Sequence, residues 1–172
     1  MVVGLGVDIV EIERIRTALE RRPRMKQRLF SEDEQWYCEH KARPEVHYAL
    51  RFAAKEAVLK ALGTGFSGMN FHDVEVVRDD KGRPYPKLEG NAKAYAEQMG
   101  IIEMHLSLSY TQTTAVASAV ALTSDARPAP KDKPSTREEL AREFKELRAM
   151  LDELDQRDIS EEGSEEDGDD EA

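Results

Sequence analysis

The sequence predicts an α+β domain of mostly antiparallel strands packed on one long helix, followed by a charged C-terminal extension. Three observations carry this. Residues 2–10 form a Val/Ile/Gly-rich run of strand character, and residues 45–62, rich in Ala and Leu, lie between Pro44 and Gly63 as the longest helix. Two pairs of β-rich runs then meet at short turns. The 172 residues, 40% hydrophobic and 35% charged, make about one domain, a size at which folding buries roughly two-thirds of the unfolded surface.

In chain order, residues 2–10 read as a buried strand, because the apolar run is almost uninterrupted. A charged helix follows over about 11–21 and stops near Pro23. Ser31 with Glu34 three residues on is a capping box, opening a short helix through Trp36 and Tyr37. The long helix 45–62 closes at Gly63. Residues 71–77 and 83–88 flank Asp79-Asp80-Lys81-Gly82, which has the turn chemistry of a hairpin. Ala92, Tyr95, Ala96 and Met99 recur at helical spacing before Gly100. Residues 105–110 and 114–122 make a second hairpin. Its last strand puts Ala115, Ala117, Ala119 and Ala121 on one face, which suits close packing or a subunit interface. The domain therefore spans 1–123. Residues 124–134 hold Pro128, Pro130 and Pro134 and read as a linker. Residues 135–158 read as an amphipathic helix with a Leu140, Phe144, Leu147, Leu151, Leu154 seam, and 159–172 as a disordered acidic tail.

Composition excludes several classes. No apolar run approaches the ~20 residues of a membrane span. MVVGLGVDIVEI lacks a basic leader and a small-residue cleavage site, so secretion is not expected. The single cysteine, Cys38, can form neither an internal disulfide nor a multi-thiolate metal site, and a cytoplasmic setting is expected. Residues 125–172 hold 18 acidic and 8 basic side chains, so the whole net charge of -10 resides there. The balanced remainder is uneven: Arg14, Arg16, Arg21, Arg22, Arg24, Lys26 and Arg28 crowd one stretch. Such a stretch is either a solvated helix face or a seat for nucleic acid, an anionic cofactor or an acidic protein.

Asp8 lies inside the apolar run Leu5-Gly6-Val7-Asp8-Ile9-Val10, where an ionised carboxylate needs a partner, a metal or solvent. Gly4 and Gly6 give only Gly-x-Gly, with Ile9 in the third glycine's place, which excludes a dinucleotide fingerprint. Glu56 falls at the edge of the buried arc of the long helix, and Lys60 lies one turn on. The pair is either a surface salt bridge or part of a site. Gly63-Thr64-Gly65 follows the helix and offers exposed amides and close backbone approach to a phosphate. His105, Ser107 and Ser109 alternate with Leu106, Leu108 and Tyr110, so one strand face is polar and suits a pocket wall. Two hard carboxylates without a thiolate or histidine cluster favour Mg²⁺ over zinc. With the lysine, the glycine turn and the histidine, they point to phosphoryl-type transfer or phosphodiester chemistry.

Gly6-Val7-Asp8-Ile9-Val10-Glu11-Ile12 with Arg14, Arg51-Phe52-Ala53-Ala54-Lys55-Glu56-Ala57 through Lys60-Ala61-Leu62-Gly63-Thr64-Gly65, and His105-Leu106-Ser107-Leu108-Ser109 closely resemble the holo-[acyl-carrier-protein] synthases. These are the short 4′-phosphopantetheinyl transferases, and the likeness runs in order over about residues 1–123. The resemblance implies transfer of 4′-phosphopantetheine from coenzyme A to a serine of apo acyl carrier protein, releasing adenosine 3′,5′-bisphosphate, in support of fatty acid biosynthesis. It implies Asp8 and Glu56 as Mg²⁺ ligands, Glu56 and Lys60 as catalytic groups, and coenzyme A contacts from Arg51, Lys60, Gly63, Thr64, Gly65, Pro84 and His105. It also implies that Arg14, Arg21 and Arg24 receive the acidic recognition helix of the carrier. The family is homotrimeric with sites between subunits, which would give the Ala-faced strand a role. Neither nucleic acid nor membrane is expected as a partner. The base for the serine hydroxyl is either Glu56 or a metal-bound water. Where the family commonly has a second histidine this chain has Tyr110, whose ring is expected to pack with Leu106 and Leu108. Two rivals are a secondary-metabolism transferase, normally about twice this core's length, and a non-catalytic carrier-binding scaffold built on the basic stretch and the heptad seam. The extension itself is read as a solubilising appendage, a competitor for the basic stretch, or a trimer reinforcement.

Overall fold

The computed structural model describes residues 1–65 and 67–124 and, beyond them, Lys145, Arg148 and Ala149. Strand β1 (Val2–Glu11) leads into α1 (Ile12–Arg21), α2 (Arg24–Leu29), α3 (Glu32–Glu39) and the long α4 (Pro44–Leu62). A 3₁₀ turn (Phe71–Asp73) opens the hairpin β2 (Val74–Arg78) and β3 (Pro84–Leu88), then come α5 (Gly90–Gln98), β4 (Ile101–Tyr110) and β5 (Thr114–Thr123). The fold is α+β, as expected. Strand β5 is central in a three-stranded sheet of order β1-β5-β4, antiparallel on both sides, and β2–β3 form a separate antiparallel pair.

The sequence reading did not resolve α2, whose only punctuation is Pro23, nor the 3₁₀ turn, which replaces the first residues of the expected 71–77 strand. The Ser31/Glu34 capping box is present in full, and Gly63 ends α4 in the left-handed conformation at φ 77°. Among the described residues no helix is long and apolar enough to cross a membrane. The chain divides into two units, Met1–Pro128 and Ala129–Ala172. In the second unit Lys145, Arg148 and Ala149 are helical and exposed. The rest of the expected linker, amphipathic helix and acidic tail lies outside the described residues.

Helix α4 lies directly on one face of the sheet, and the contact is made of missing side chains. Ala115, Ala117, Ala119 and Ala121 of β5 are fully buried there, as are Ala53 and Ala57 of α4. On β1, a Cβ added to Gly4 would come within 1.8 Å of the Ala61 carbonyl oxygen, and one added to Gly6 within 1.9 Å of that of Ala57. Backbone thus meets backbone, a distance only glycine allows. The alanine face of β5 is therefore a helix seat, which corrects its reading as a subunit interface and keeps the alternative of close packing. The other sheet face is open. Leu5, Val7 and Ile9 of β1 are 67%, 45% and 65% exposed, so β1 is buried on one face only, not on both as its continuous apolar run implied.

Behind α4 the core holds a charged centre. Glu34 and Lys55 are fully buried and 2.7 Å apart. Glu34 also accepts from the backbone N–H of Ser31 and of Val76, while the Lys55 ammonium donates to the carbonyls of Phe71 and Val74. Burial pulls the Lys55 ammonium below its usual range, against the attraction of Glu34. One pair so joins α3, α4, the 3₁₀ turn and β2, and every donor so joined is satisfied, as a buried charge requires.

Candidate active site

The glycine contact decides where Asp8 goes. Gly4, Gly6, Asp8 and Val10 share the helix-facing side of β1 by the period of two, and Asp8 pairs in register with Ala117. With α4 held at backbone distance, the Lys60 ammonium bonds Asp8 Oδ1 at 2.8 Å and the Val7 carbonyl at 3.0 Å. Asp8 is only 16% exposed, Lys60 48%. The i,i+4 partner of Lys60 is thus not Glu56: the lysine bridges across to the strand. Glu56 is half-buried beside them. Burial and then the Asp8 charge hold its carboxyl above the usual carboxylate range, and Lys60 opposes them only in part. Asp8, Glu56 and Lys60, 48 to 52 residues apart between strand and helix, form one group.

The donor chemistry fits a hard divalent cation. Two neighbouring carboxylates, one of them held above its usual range by burial and by the other's charge, gain from a shared positive charge. Among the described residues no cluster of three or more His, Cys, Asp or Glu could hold a metal. A two-carboxylate seat is what Mg²⁺ takes when water and substrate phosphate complete its shell.

After α4, Gly63, Gly65 and Gly68 all have positive φ, and a Cβ at Gly63 or Gly65 would meet nothing within 4 Å. These glycines answer to backbone hand, not to crowding within the chain, and the turn is open on the side where their side chains would be. Half-buried Thr64 bonds the Gly65 carbonyl. The turn stands at the end of α4 that carries Lys60.

Other expected residues stand apart. Arg51 is 4% exposed, with its guanidinium 4.0 Å above the Tyr37 ring and Nε 4.0 Å from Glu34, on the far side of α4 from Asp8. Pro84 opens β3 opposite Arg78 and is half-buried. His105 pairs with Val120, which pairs with Leu5, so it points to the open face of the sheet and lies on the edge strand opposite β1. It is 60% exposed and 3.1 Å from Glu103. One copy of the chain does not bring His105 to Asp8. Tyr110 shares the side of Leu106 and Leu108 by register, yet it is 54% exposed, so its ring does not pack as expected; the strand has run past the core there.

The basic stretch is a real surface. Arg14, Arg21, Arg22, Arg24 and Arg28 are exposed, and Arg14 and Arg21, seven apart, lie on one side of α1. Arg16 is instead tied to Glu13 and Glu20 on its own helix. A groove of about 460 Å³ is lined by Arg14, Arg21 and Arg22 with Thr17, Ala18 and Met25, and also by Glu11 and Glu13. A cavity of about 980 Å³, also lined by Arg22 and Met25, continues past Arg24, Arg28 and Leu29 to Met69 and Phe71. Basic rims over methionine and leucine suit an acidic amphipathic ligand.

An α+β domain whose strand–helix contact gathers two carboxylates and a lysine beside an open glycine turn has the outfit of a cation-assisted phosphoryl-transfer protein. Comparison with known proteins narrows this. The 4′-phosphopantetheinyl transferase superfamily model matches residues 4–117, and the chain belongs to that family. It is 48% identical over 122 residues to the holo-[acyl-carrier-protein] synthase of Alkaliphilus metalliredigens, covering 70% of this chain and 99% of that protein. Among solved structures, holo-[acyl-carrier-protein] synthase from Neisseria meningitidis aligns with a TM-score of 0.66 at 32% identity, over 72% of this chain and 100% of that one. The holo-(acyl-carrier-protein) synthase from Bacillus anthracis in complex with CoA (3′,5′-ADP) aligns with a TM-score of 0.60 at 35% identity, over 72% and 99%.

Proposed function

We propose that this chain transfers the 4′-phosphopantetheine group from coenzyme A to a serine hydroxyl of an apo acyl carrier protein, releasing adenosine 3′,5′-bisphosphate, and so serves fatty acid biosynthesis in the cytoplasm. The observation that carries the reading is the Asp8–Glu56–Lys60 group, set by Gly4 and Gly6 within a fold whose relatives include a coenzyme A complex. Asp8 and Glu56 would hold Mg²⁺, which when bound supplies charge neutralisation for the pyrophosphate of coenzyme A. Lys60 stabilises the negative charge that builds on the leaving phosphate as the phosphoanhydride P–O bond breaks and the serine oxygen bonds phosphorus. Glu56, with its carboxyl held above the usual range, is the chain's own group in place to accept the serine proton. Gly63, Thr64 and Gly65 present main-chain groups to the phosphates, with Pro84 assigned to the same ligand, whereas Arg51, buried against the Tyr37 ring near Glu34, serves the core of its own copy.

The basic groove receives the carrier. Its rim of Arg14, Arg21 and Arg24 steers an acidic helix, and the apolar floor seats that helix's hydrophobic side. A homotrimer with sites between subunits completes the site. What supports it is the bare apolar side formed by Leu5, Val7 and Ile9, together with the placement of His105 on that side and of Asp8 on the other. The test is mass spectrometry of apo carrier protein incubated with the chain, coenzyme A and Mg²⁺. A gain equal to one phosphopantetheine group is expected; carrier binding without any gain favours the scaffold reading instead.

A further inference from the structure

We infer that Lys60 is a built-in competitor for the cation seat: its ammonium holds Asp8 until coenzyme A draws it away, so that cation and coenzyme A favour each other's binding. The inference rests on the proposed role of Asp8 and Glu56 as metal ligands. Lys60 Nζ is bound at two points of one strand segment, Oδ1 of Asp8 at 2.8 Å and the Val7 carbonyl at 3.0 Å. That is the arrangement of a cation clamped by oxygens, not of a loose surface pair. Asp8 is largely buried, so the ammonium shields one of the two oxygens it could offer to a metal. A divalent cation on Asp8 would therefore face both a blocked oxygen and a positive charge in contact with its ligand.

The lysine has somewhere else to go. Its long side chain is half exposed and rises from the last turn of α4, beside Gly63-Thr64-Gly65. A pyrophosphate at that turn offers the ammonium more negative charge than Asp8 does. Once Lys60 moves to it, the Asp8 carboxylate is free for the cation. By linkage the cation and coenzyme A must help each other equally. The device keeps the seat closed to divalent cations until the substrate arrives, and it delivers the lysine to the leaving group at the same moment.

The test is Mn²⁺ binding to the full chain, read by loss of the free-ion electron paramagnetic resonance signal, with no turnover required. Lys60→Met keeps the stem that packs and removes the ammonium. It is expected to bind Mn²⁺ about tenfold more tightly than wild type without coenzyme A, and to show a smaller gain when coenzyme A is added. Because the competition is a direct contact, the tightening should persist in about 0.5 M salt, where long-range charge effects fade. Lys60→Arg keeps the charge and should not tighten. Asp8→Asn should lose affinity in every background. If Lys60→Met binds no more tightly than wild type while Asp8→Asn is weakened, the competition is refuted and the ligand assignment stands. If Asp8→Asn is not weakened, both fall.

Discussion

Replacing Gly6 by alanine tests the contact on which the site depends. The added Cβ would lie 1.9 Å from the Ala57 carbonyl oxygen, 2.7 Å from the Ala61 nitrogen and 2.9 Å from the Ala57 carbonyl carbon. All three are backbone atoms inside a 19-residue helix, so no rotamer change relieves the clash. To restore ordinary van der Waals separation α4 has to retreat by roughly 1.5 Å, which forfeits much of the dispersion along the alanine seat. An overpacked core site of this kind costs about 3 kcal/mol, and for a domain of this size that lowers the melting temperature by roughly 10 °C. The same retreat stretches the 2.8 Å Lys60–Asp8 bond past hydrogen-bonding range and pulls Glu56 from Asp8. Differential scanning fluorimetry should show the loss of stability, and Mn²⁺ titration of the still-folded variant should show weaker binding. Gly63→Ala is the comparison: it meets no atom, and at φ 77° it carries only the strain of left-handed backbone, about 1–2 kcal/mol. A Gly6→Ala protein that melts within about 2 °C of wild type and binds Mn²⁺ equally well refutes the account of how α4 positions Asp8.

Reversing charge at Arg14, Arg21 and Arg24 together should raise KM for carrier protein far more than KM for coenzyme A, and the triple variant's rate should be flatter against salt; equal effects on both substrates would remove these residues from carrier recognition. Co-expressing Asp8→Asn with His105→Ala chains should restore transferase activity that each lacks alone, because mixed oligomers contain sites with an intact Asp8 from one copy and an intact His105 from its neighbour; no recovery in oligomers shown to be mixed argues against shared sites. Glu56, whose acid group is raised by folding, binds its proton more tightly folded than unfolded, so its contribution to stability is full below the ordinary 4.5 and is lost as pH rises through the raised folded value. In chelator, Glu56→Gln should therefore gain stability relative to wild type between about pH 4 and pH 7 in urea titrations, and a difference that does not change with pH would contradict the assignment.

Local signals in the chain determined the elements. Ser31 and Glu34 cap α3, Gly63 ends α4, and the alternation around His105 and Asp8 sets which sides of the strands they occupy. Asp8, Glu56 and Lys60 stood out as candidate site residues for a chemical reason, and the fold brings them together: a carboxylate in an apolar strand and another at the margin of a buried helix arc are expensive unless something uses them. Other facts needed the third dimension. Whether the alanines of β5 face a helix or a second copy depends on which element arrives, and a period of two gives the sides without saying what covers them. Gly4 and Gly6 made no dinucleotide motif, and their meaning lay opposite them, in Ala57 and Ala61 more than 50 residues away. The signal that could have shown it is the match of Gly-x-Gly to Ala-x-x-x-Ala, two small-residue spacings that fit one another. Nothing in the neighbouring sequence marks Lys55, yet it is fully buried against Glu34. Lys60, whose spacing from Glu56 left open a surface salt bridge or part of a site, pairs with Asp8 on a strand 52 residues earlier. Propensity, caps and periodicity act over a few residues and so can be read along the chain, whereas a charge is satisfied by whatever lies nearest in space, and that was decided only when α4 closed onto β1.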